Sequence, residues 1–204
     1  LKADTWESWK NRINDFNAIV IGPGMTRHPD TTAWVLHLLT ECRRPLVIDA
    51  DALNVLAGHP EWLATAACPV IITPHPGELA RLLGCTTEVI QQDREAAVVK
   101  AASLTKAIVV LKGAGTLVAQ DGKPLHVNLT GNPGMASGGM GDALAGLMGG
   151  FLAQGIDPFD AACAAVFIHG RAGDSAMWRR SQATLTATDL IKELSGAFRE
   201  VSVR

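Results

Sequence analysis

The chain has 204 residues, 48% hydrophobic and 19% charged, enough apolar material for one sizeable domain with a real core and too much for a disordered chain. Lys and Arg number 18 against 20 Asp and Glu, and the resulting formal charge of −2 argues against a nucleic-acid partner, which needs a basic face. The four cysteines, Cys42, Cys68, Cys85 and Cys163, form no CxxC pair, which speaks against zinc and a disulfide framework and for a cytoplasmic chain with free thiols.

Along the chain, "NAIVIGPG" at 17–24 reads as the first strand and 30–41 as a helix opening after Pro29. "PLVID" at 45–49 and "PVIIT" at 69–73 are further strands, followed by a helix over 76–83 that ends before Gly84. The spacing of Ile90, Ala97, Ala101 and Leu104 predicts one helix across 86–104. "AIVVLK" at 107–112 is a fourth strand, and "GTLVAQDGKPLHVNL" at 115–129 reads as a hairpin turning at Asp121-Gly122. Helices are expected at 141–154, 158–178 and 187–198, with Trp34, Trp62 and Trp178 in core or interface packing. The first four strands are apolar without alternation, as in a parallel sheet covered on both faces, so the expected fold is α/β, doubly wound or a related three-layer sandwich. The longest uncharged apolar run, 143–153, is too short to span a bilayer, so no membrane partner is expected.

Each strand runs into chemistry at its C-terminal end: Gly22-Pro23-Gly24, Asp49 to Asn54, Pro74 to Glu78, and Lys112 to Thr116. In open parallel sheets the ligand crevice lies along that edge. Asp142 follows Gly138, Gly139 and Gly141 at the start of a helix. An aspartate there serves as an N-cap in most helices. Unblocked amides at a helix head also make an anion site, and a carboxylate beside a bound phosphate suits proton abstraction during phosphoryl transfer. Lys112 either snorkels to solvent or reaches a nucleotide phosphate; neither a Walker A loop nor GxGxxG is present. His75, between two prolines, is structural or a crevice ligand. Asp49 and Asp51 cap the next helix or approach Mg²⁺ through water. His28, His37, His59, His126 and His169 lie in no motif and read as structural.

Five segments in order resemble the ribokinase-like NAD(P)H-hydrate dehydratases: "IGPG" 21–24, "DADALN" 49–54, "TPHPGELARLLG" 73–84, "LKGAGT" 111–116 and "GNPGMASGGMGD" 131–142. The last is the most specific, and its wording is closest to bacterial members. The resemblance implies a ribokinase-like three-layer α/β/α sandwich with a mostly parallel sheet, and repair of hydrated NADH and NADPH (NADHX and NADPHX). It covers nearly all of 1–204, read as a single domain that starts after the family's first strand–helix unit; at Met25-Thr26 the chain departs from the family's usual GPGLG. Lys112, Gly113, Ala114, Gly115 and Thr116 would then hold the adenosine nucleotide. The backbone from Asn132, Pro133 and Gly134 through Met135, Ala136, Ser137, Gly138 and Gly139 to Met140 and Gly141 would cradle its phosphates. Gly24, with His75, Pro76, Gly77, Glu78, Leu79, Ala80 and Arg81, would line the hydrate pocket, and Asp142 would be the base on the ring hydroxyl. The resemblance further implies ADP rather than ATP as phosphoryl donor, Mg²⁺ as cofactor, and a homo-oligomer, commonly a tetramer. The alternatives are a small-molecule kinase of the same superfamily, of the hydroxyethylthiazole or sugar type, and a nucleotide-binding module without catalysis.

Overall fold

A computed structural model describes residues 5–202. Six short strands rich in Val, Ile and Leu form one sheet in sequence order: β1 (Ile19–Ile21), β2 (Leu46–Ile48), β3 (Val70–Ile72), β4 (Ile108–Leu111), β5 (Thr116–Ala119) and β6 (His126–Asn128). Strands β1 to β4 are parallel, with Val20 opposite Val47, Val47 opposite Ile71 and Ile72 opposite Val109. The expected hairpin supplies β5 and β6, which add antiparallel at the β4 edge.

Each central strand divides its side chains between two cores, which is why none of them alternates polar with apolar. Leu46, Ile48, Ile72, Val109 and Leu111 face one core; Val47, Ile71, Ile108 and Val110 face the other. Parallel strands laid down in sequence order need crossovers of one hand, which puts the connecting helices on one face. That layer holds α2 (Pro29–Glu41), α3 (Ala50–Asn54), α4 (Pro60–Leu63), α5 (Pro76–Leu83), α6 (Thr87–Gln92) and α7 (Arg94–Thr105), joined by α1 (Trp6–Ile13), which the sequence pattern does not announce. The opposite face is covered by α8 (Met140–Ala153), α9 (Pro158–Arg179) and α10 (Ala187–Ser202), through Leu144, Met148, Ala165, Val166 and Leu190. The result is a three-layer α/β/α sandwich with a mostly parallel sheet, as expected.

One expectation needs correction. The helix over 86–104 is broken at Asp93, which ends α6 and caps α7 by accepting from the Ala96 N–H at 2.9 Å. The buried face of α7 is Val98, Ala101, Ala102 and Thr105, while Leu104 is exposed. Trp34 is buried and Trp62 is half-buried, stacked on His59; Trp178, at 84% exposure, lies outside the core. Among the described residues no helix is long and apolar enough to cross a membrane.

Candidate active site

The parallel strands end along one edge, and the polar residues that follow them meet there. Asp49, directly after β2, is 1% exposed. Lys112, directly after β4, sends its ammonium back across the sheet edge to Asp49 Oδ1 at 2.8 Å, with Glu78 Oε2 at 3.7 Å. Lys112 is thus neither snorkelling freely nor reaching outward on its own; two carboxylates hold it in the crevice. Asp49 is the residue before α3 but makes no side-chain cap, because its carboxylate is taken by Lys112. Asp51 accepts from the Thr26 N–H at 2.9 Å and so ties the β1 loop, with Gly24 in its exposed turn, to the β2 loop.

After β3, His75 caps α5. Its Nδ1 accepts from the Gly77 and Glu78 N–H groups at 3.0 and 3.3 Å, and the Glu78 carboxylate accepts from the His75 N–H at 2.8 Å. This reciprocal capping box, followed by Pro76 at the first helical position, explains why the segment reads "PHPGE". It also sets the ring chemistry. An Nδ1 that accepts from two amides carries no proton, so the neutral ring has its hydrogen on Nε2. Burial pushes the His75 pKa below the ordinary histidine value, which keeps it neutral. Arg81, one turn along α5, donates from Nε to Asn54 Oδ1 at 3.0 Å. The Leu79 and Ala80 side chains are buried in the core.

The glycine-rich segment closes the site from the other face of the sheet. Asn132 Oδ1 accepts from the Gly134 N–H at 3.1 Å and opens a single 3₁₀ turn, Pro133–Met135. Ser137 donates to the Leu185 carbonyl at 3.2 Å. The N-cap of α8 is Gly139, at φ 84°, and no side chain caps this helix. The N-cap reading of Asp142 is therefore overturned: Asp142 stands in the first turn, exposed, without a hydrogen bond or ion pair to the described residues. The Met140 N–H is taken by the Ser137 carbonyl at 3.4 Å, but the Gly141 and Asp142 amides have no acceptor within the helix, and the helix dipole adds to their positive field. A Cβ on Gly141 would lie 3.5 Å from Lys112 Nζ and 3.6 Å from Asp49 Oδ2. The uncapped helix head and the strand-tip charges thus abut at Gly141, one residue before Asp142. Within the loop, the Met140 side chain is buried and that of Met135 is half-buried against α9.

The residues that hold this loop lie outside every segment singled out from the sequence. Asp174 on α9 accepts from the Gly131 N–H at 3.0 Å and from Asn132 Nδ2 at 3.1 Å. One residue earlier, a Cβ on Gly173 would stand 2.3 Å from Met135 Sδ, so a side chain there would force the Met135 side chain to move. His169 donates from Nε2 to the Met140 carbonyl at 2.9 Å and steadies the head of α8; burial pushes its pKa down to about 4. The available signal is "HGRAGD" at 169–174, which puts a histidine, two glycines and an aspartate about a turn apart on one helix. Among the described residues no group of three or more His, Cys, Asp or Glu is placed to hold a metal, so these side chains do not fit a protein-built Mg²⁺ cage. An amide-lined helix head fits a phosphate instead.

Comparison with known proteins gives this geometry a family. The family model described as NAD(P)H-hydrate dehydratase matches residues 3–195. A bifunctional NAD(P)H-hydrate repair enzyme of Moorella thermoacetica is 41% identical over 201 residues, 98% of this chain and 38% of the relative. The ADP-dependent (S)-NAD(P)H-hydrate dehydratase of Neisseria meningitidis is 45% identical over 174 residues, 84% of this chain and 58% of the relative. The chain therefore spans 38% and 58% of the length of these two curated relatives. Among solved structures, the ADP/ATP-dependent NAD(P)H-hydrate dehydratase of Bacillus subtilis, co-crystallised with ATP and Mg²⁺, superposes with a TM-score of 0.81 at 32% identity, covering 94% of this chain and 69% of that one. The sandwich is ribokinase-like.

Proposed function

Because the chain belongs to the NAD(P)H-hydrate dehydratase family, we propose that it dehydrates NADHX and NADPHX to NADH and NADPH at the expense of ADP. The observation that carries this reading is the uncapped head of α8 abutting the Lys112–Asp49 pair at Gly141, with Asp142 next in line. An anion site, a fixed ammonium and an exposed carboxylate are what phosphoryl transfer to a hydroxyl requires.

The amides of Gly138, Gly139, Gly141 and Asp142 bind the phosphate of the nucleotide. Gly113, Ala114, Gly115 and Thr116 form the wall of the crevice that follows β4, and Lys112 adds positive charge at the sheet edge. Asp142 takes the proton from the ring hydroxyl as its oxygen attacks the terminal phosphorus and AMP leaves. The phosphorylated carbon then loses phosphate as the adjacent ring carbon loses a proton, and the double bond of the reduced nicotinamide re-forms. His75 offers its Nε2–H at the crevice edge to an oxygen of the hydrate, while Gly24, Pro76, Gly77, Glu78 and Arg81 frame the same side. Mg²⁺ would be brought by the nucleotide and would neutralise charge on its phosphates, a role that suits a cation which takes few protein carboxylates. A cytoplasmic location is supported by the four free cysteines, and a homotetramer rests on the resemblance of the motifs alone.

The test is to incubate the protein with the S-hydrate of NADH, Mg²⁺ and ADP and to follow the absorbance of regenerated NADH. Nucleotide-dependent recovery is expected. A folded protein that recovers none, or that leaves a stable phosphorylated product of a thiazole or sugar alcohol, overturns the reading.

A further inference from the structure

We propose that Arg94 is a positioning residue for the nucleotide loop, an inference that rests on the nucleotide reading of residues 112–116. Arg94 is the first residue of α7, where the break at Asp93 turns its side chain toward the end of β4. Its Nη1 donates to the Ala114 carbonyl, and its Nη2 to the carbonyls of Leu111 at 3.3 Å and Lys112 at 3.4 Å. The Gly113 carbonyl is taken from the other side by the Thr116 hydroxyl at 2.9 Å. Four consecutive carbonyls, from Leu111 to Ala114, are thereby held, three of them by one guanidinium.

The consequence follows from the planarity of the trans peptide, in which C=O and N–H point in opposite directions. The Gly113 N–H shares a peptide with the Lys112 carbonyl, and the Gly115 N–H shares one with the Ala114 carbonyl. A cation that gathers both oxygens turns both amides away from α7. The Lys112 N–H is itself fixed by the Pro74 carbonyl at 2.9 Å, so both peptides flanking Lys112 are anchored and its stem is aimed at Asp49. The site requires an arginine: the planar fork reaches several carbonyls at once, which a lysine ammonium on a flexible stem does not reproduce. Gly113 sits at φ 141°, and a Cβ there would lie 3.0 Å from Nη2, so a side chain would force the clamp to shift. The Arg94 Nε is buried and without a partner among the described residues.

The experiment is calorimetric titration of ADP into the wild-type chain, Arg94→Met and Arg94→Lys, with Val98→Ala, a core truncation in the same helix, as the control for lost stability. Losing a charged donor that holds three loop carbonyls predicts a Kd for ADP raised roughly tenfold or more in Arg94→Met, with the KM for the hydrate unchanged. Val98→Ala lowers Tm and leaves that Kd alone. Arg94→Lys keeps the charge and is expected to bind ADP nearly as weakly as Arg94→Met; it also serves as the test protein should the methionine variant not fold. An arginine variant that is folded and binds ADP with the wild-type Kd overturns the proposal. A wild-type chain that binds neither ADP nor ATP overturns the nucleotide reading beneath it.

Discussion

Lys112 and Asp49 join the tips of β4 and β2 through a 2.8 Å ion pair whose two partners differ sharply in burial: the side chain of Asp49 is 2% exposed and that of Lys112 is 22% exposed. Breaking a buried pair is costly because the remaining charge is left without its partner. The two ways of breaking this one are therefore unequal. Lys112→Met strands a carboxylate that water cannot reach, and should lower the unfolding free energy by about 3 kcal/mol or more. Asp49→Asn leaves an ammonium that still has Glu78 at 3.7 Å and some solvent, and should cost less. Urea unfolding of both variants checks the order. Equal losses, or a larger loss for Asp49→Asn, would show that burial does not govern the pair.

Asp142 has the opposite character. It is exposed in the first turn of α8, with no hydrogen bond or ion pair to the described residues. Asp142→Asn should therefore change stability by no more than about 1 kcal/mol, the size of a carboxylate's interaction with a helix N-terminus. If Asp142 is the base, the same change should lower kcat by roughly a hundredfold to ten-thousandfold while ADP still binds. Turnover and calorimetry on one preparation separate the two effects. An active Asp142→Asn protein would remove the base assignment.

Asp174 anchors the glycine loop from below by accepting from Gly131 N–H and Asn132 Nδ2. Both bonds go to a carboxylate, so Asp174→Ala should cost about 1.5–3 kcal/mol of positioning per bond. The expected signature is a raised KM for ADP with a smaller change in kcat, since the loop must be re-ordered by the nucleotide at each binding event. Steady-state kinetics with varied ADP read this directly. An unchanged KM for ADP would mean that the 3₁₀ turn and the Ser137 contact hold the loop by themselves.

The sheet is legible in the sequence because its strands are buried on both faces, so every side chain of β2, β3 and β4 must be apolar. Runs such as "LVI" and "IVVL" carry that requirement openly. The crevice is legible for a related reason, since the polar residues sit directly after those runs. What stays hidden depends on distance in the chain. The pairing of Lys112 with Asp49 spans 63 residues, and that of Asp174 with Asn132 spans 42, and no local spacing announces either. The α6–α7 break is concealed because apolar residues at helical spacing continue through Asp93, whose capping role only the backbone reveals. Asp142 reads as a cap because Gly139, lacking a side chain, gives no capping signal of its own.

His169 provides a test that needs no substrate. It is 8% exposed, and its Nε2–H donates to the Met140 carbonyl in the first turn of α8. Burial lowers its pKa from 6.5 to about 4, so the folded protein keeps the ring neutral where an unfolded chain would protonate it. As the pH falls below 6.5, the unfolded state takes up the proton first, and the folded state loses ground until the pH reaches about 4, where its own ring protonates. This contribution to stability is therefore complete above pH 6.5, declines between 6.5 and about 4, and is level below. A separation of that size corresponds to a loss on the order of 3 kcal/mol across the window. Replacing the ring by a side chain that does not titrate should remove this part of the acid sensitivity. Urea unfolding of the wild-type chain and of His169→Gln at a series of pH values isolates it from every other titrating group, because the others are common to both. The two stability curves should converge as the pH falls from 7 toward 4. Curves that stay parallel over that range would show that His169 titrates alike in the folded and unfolded chain, and that the head of α8 is not held by a neutral buried ring.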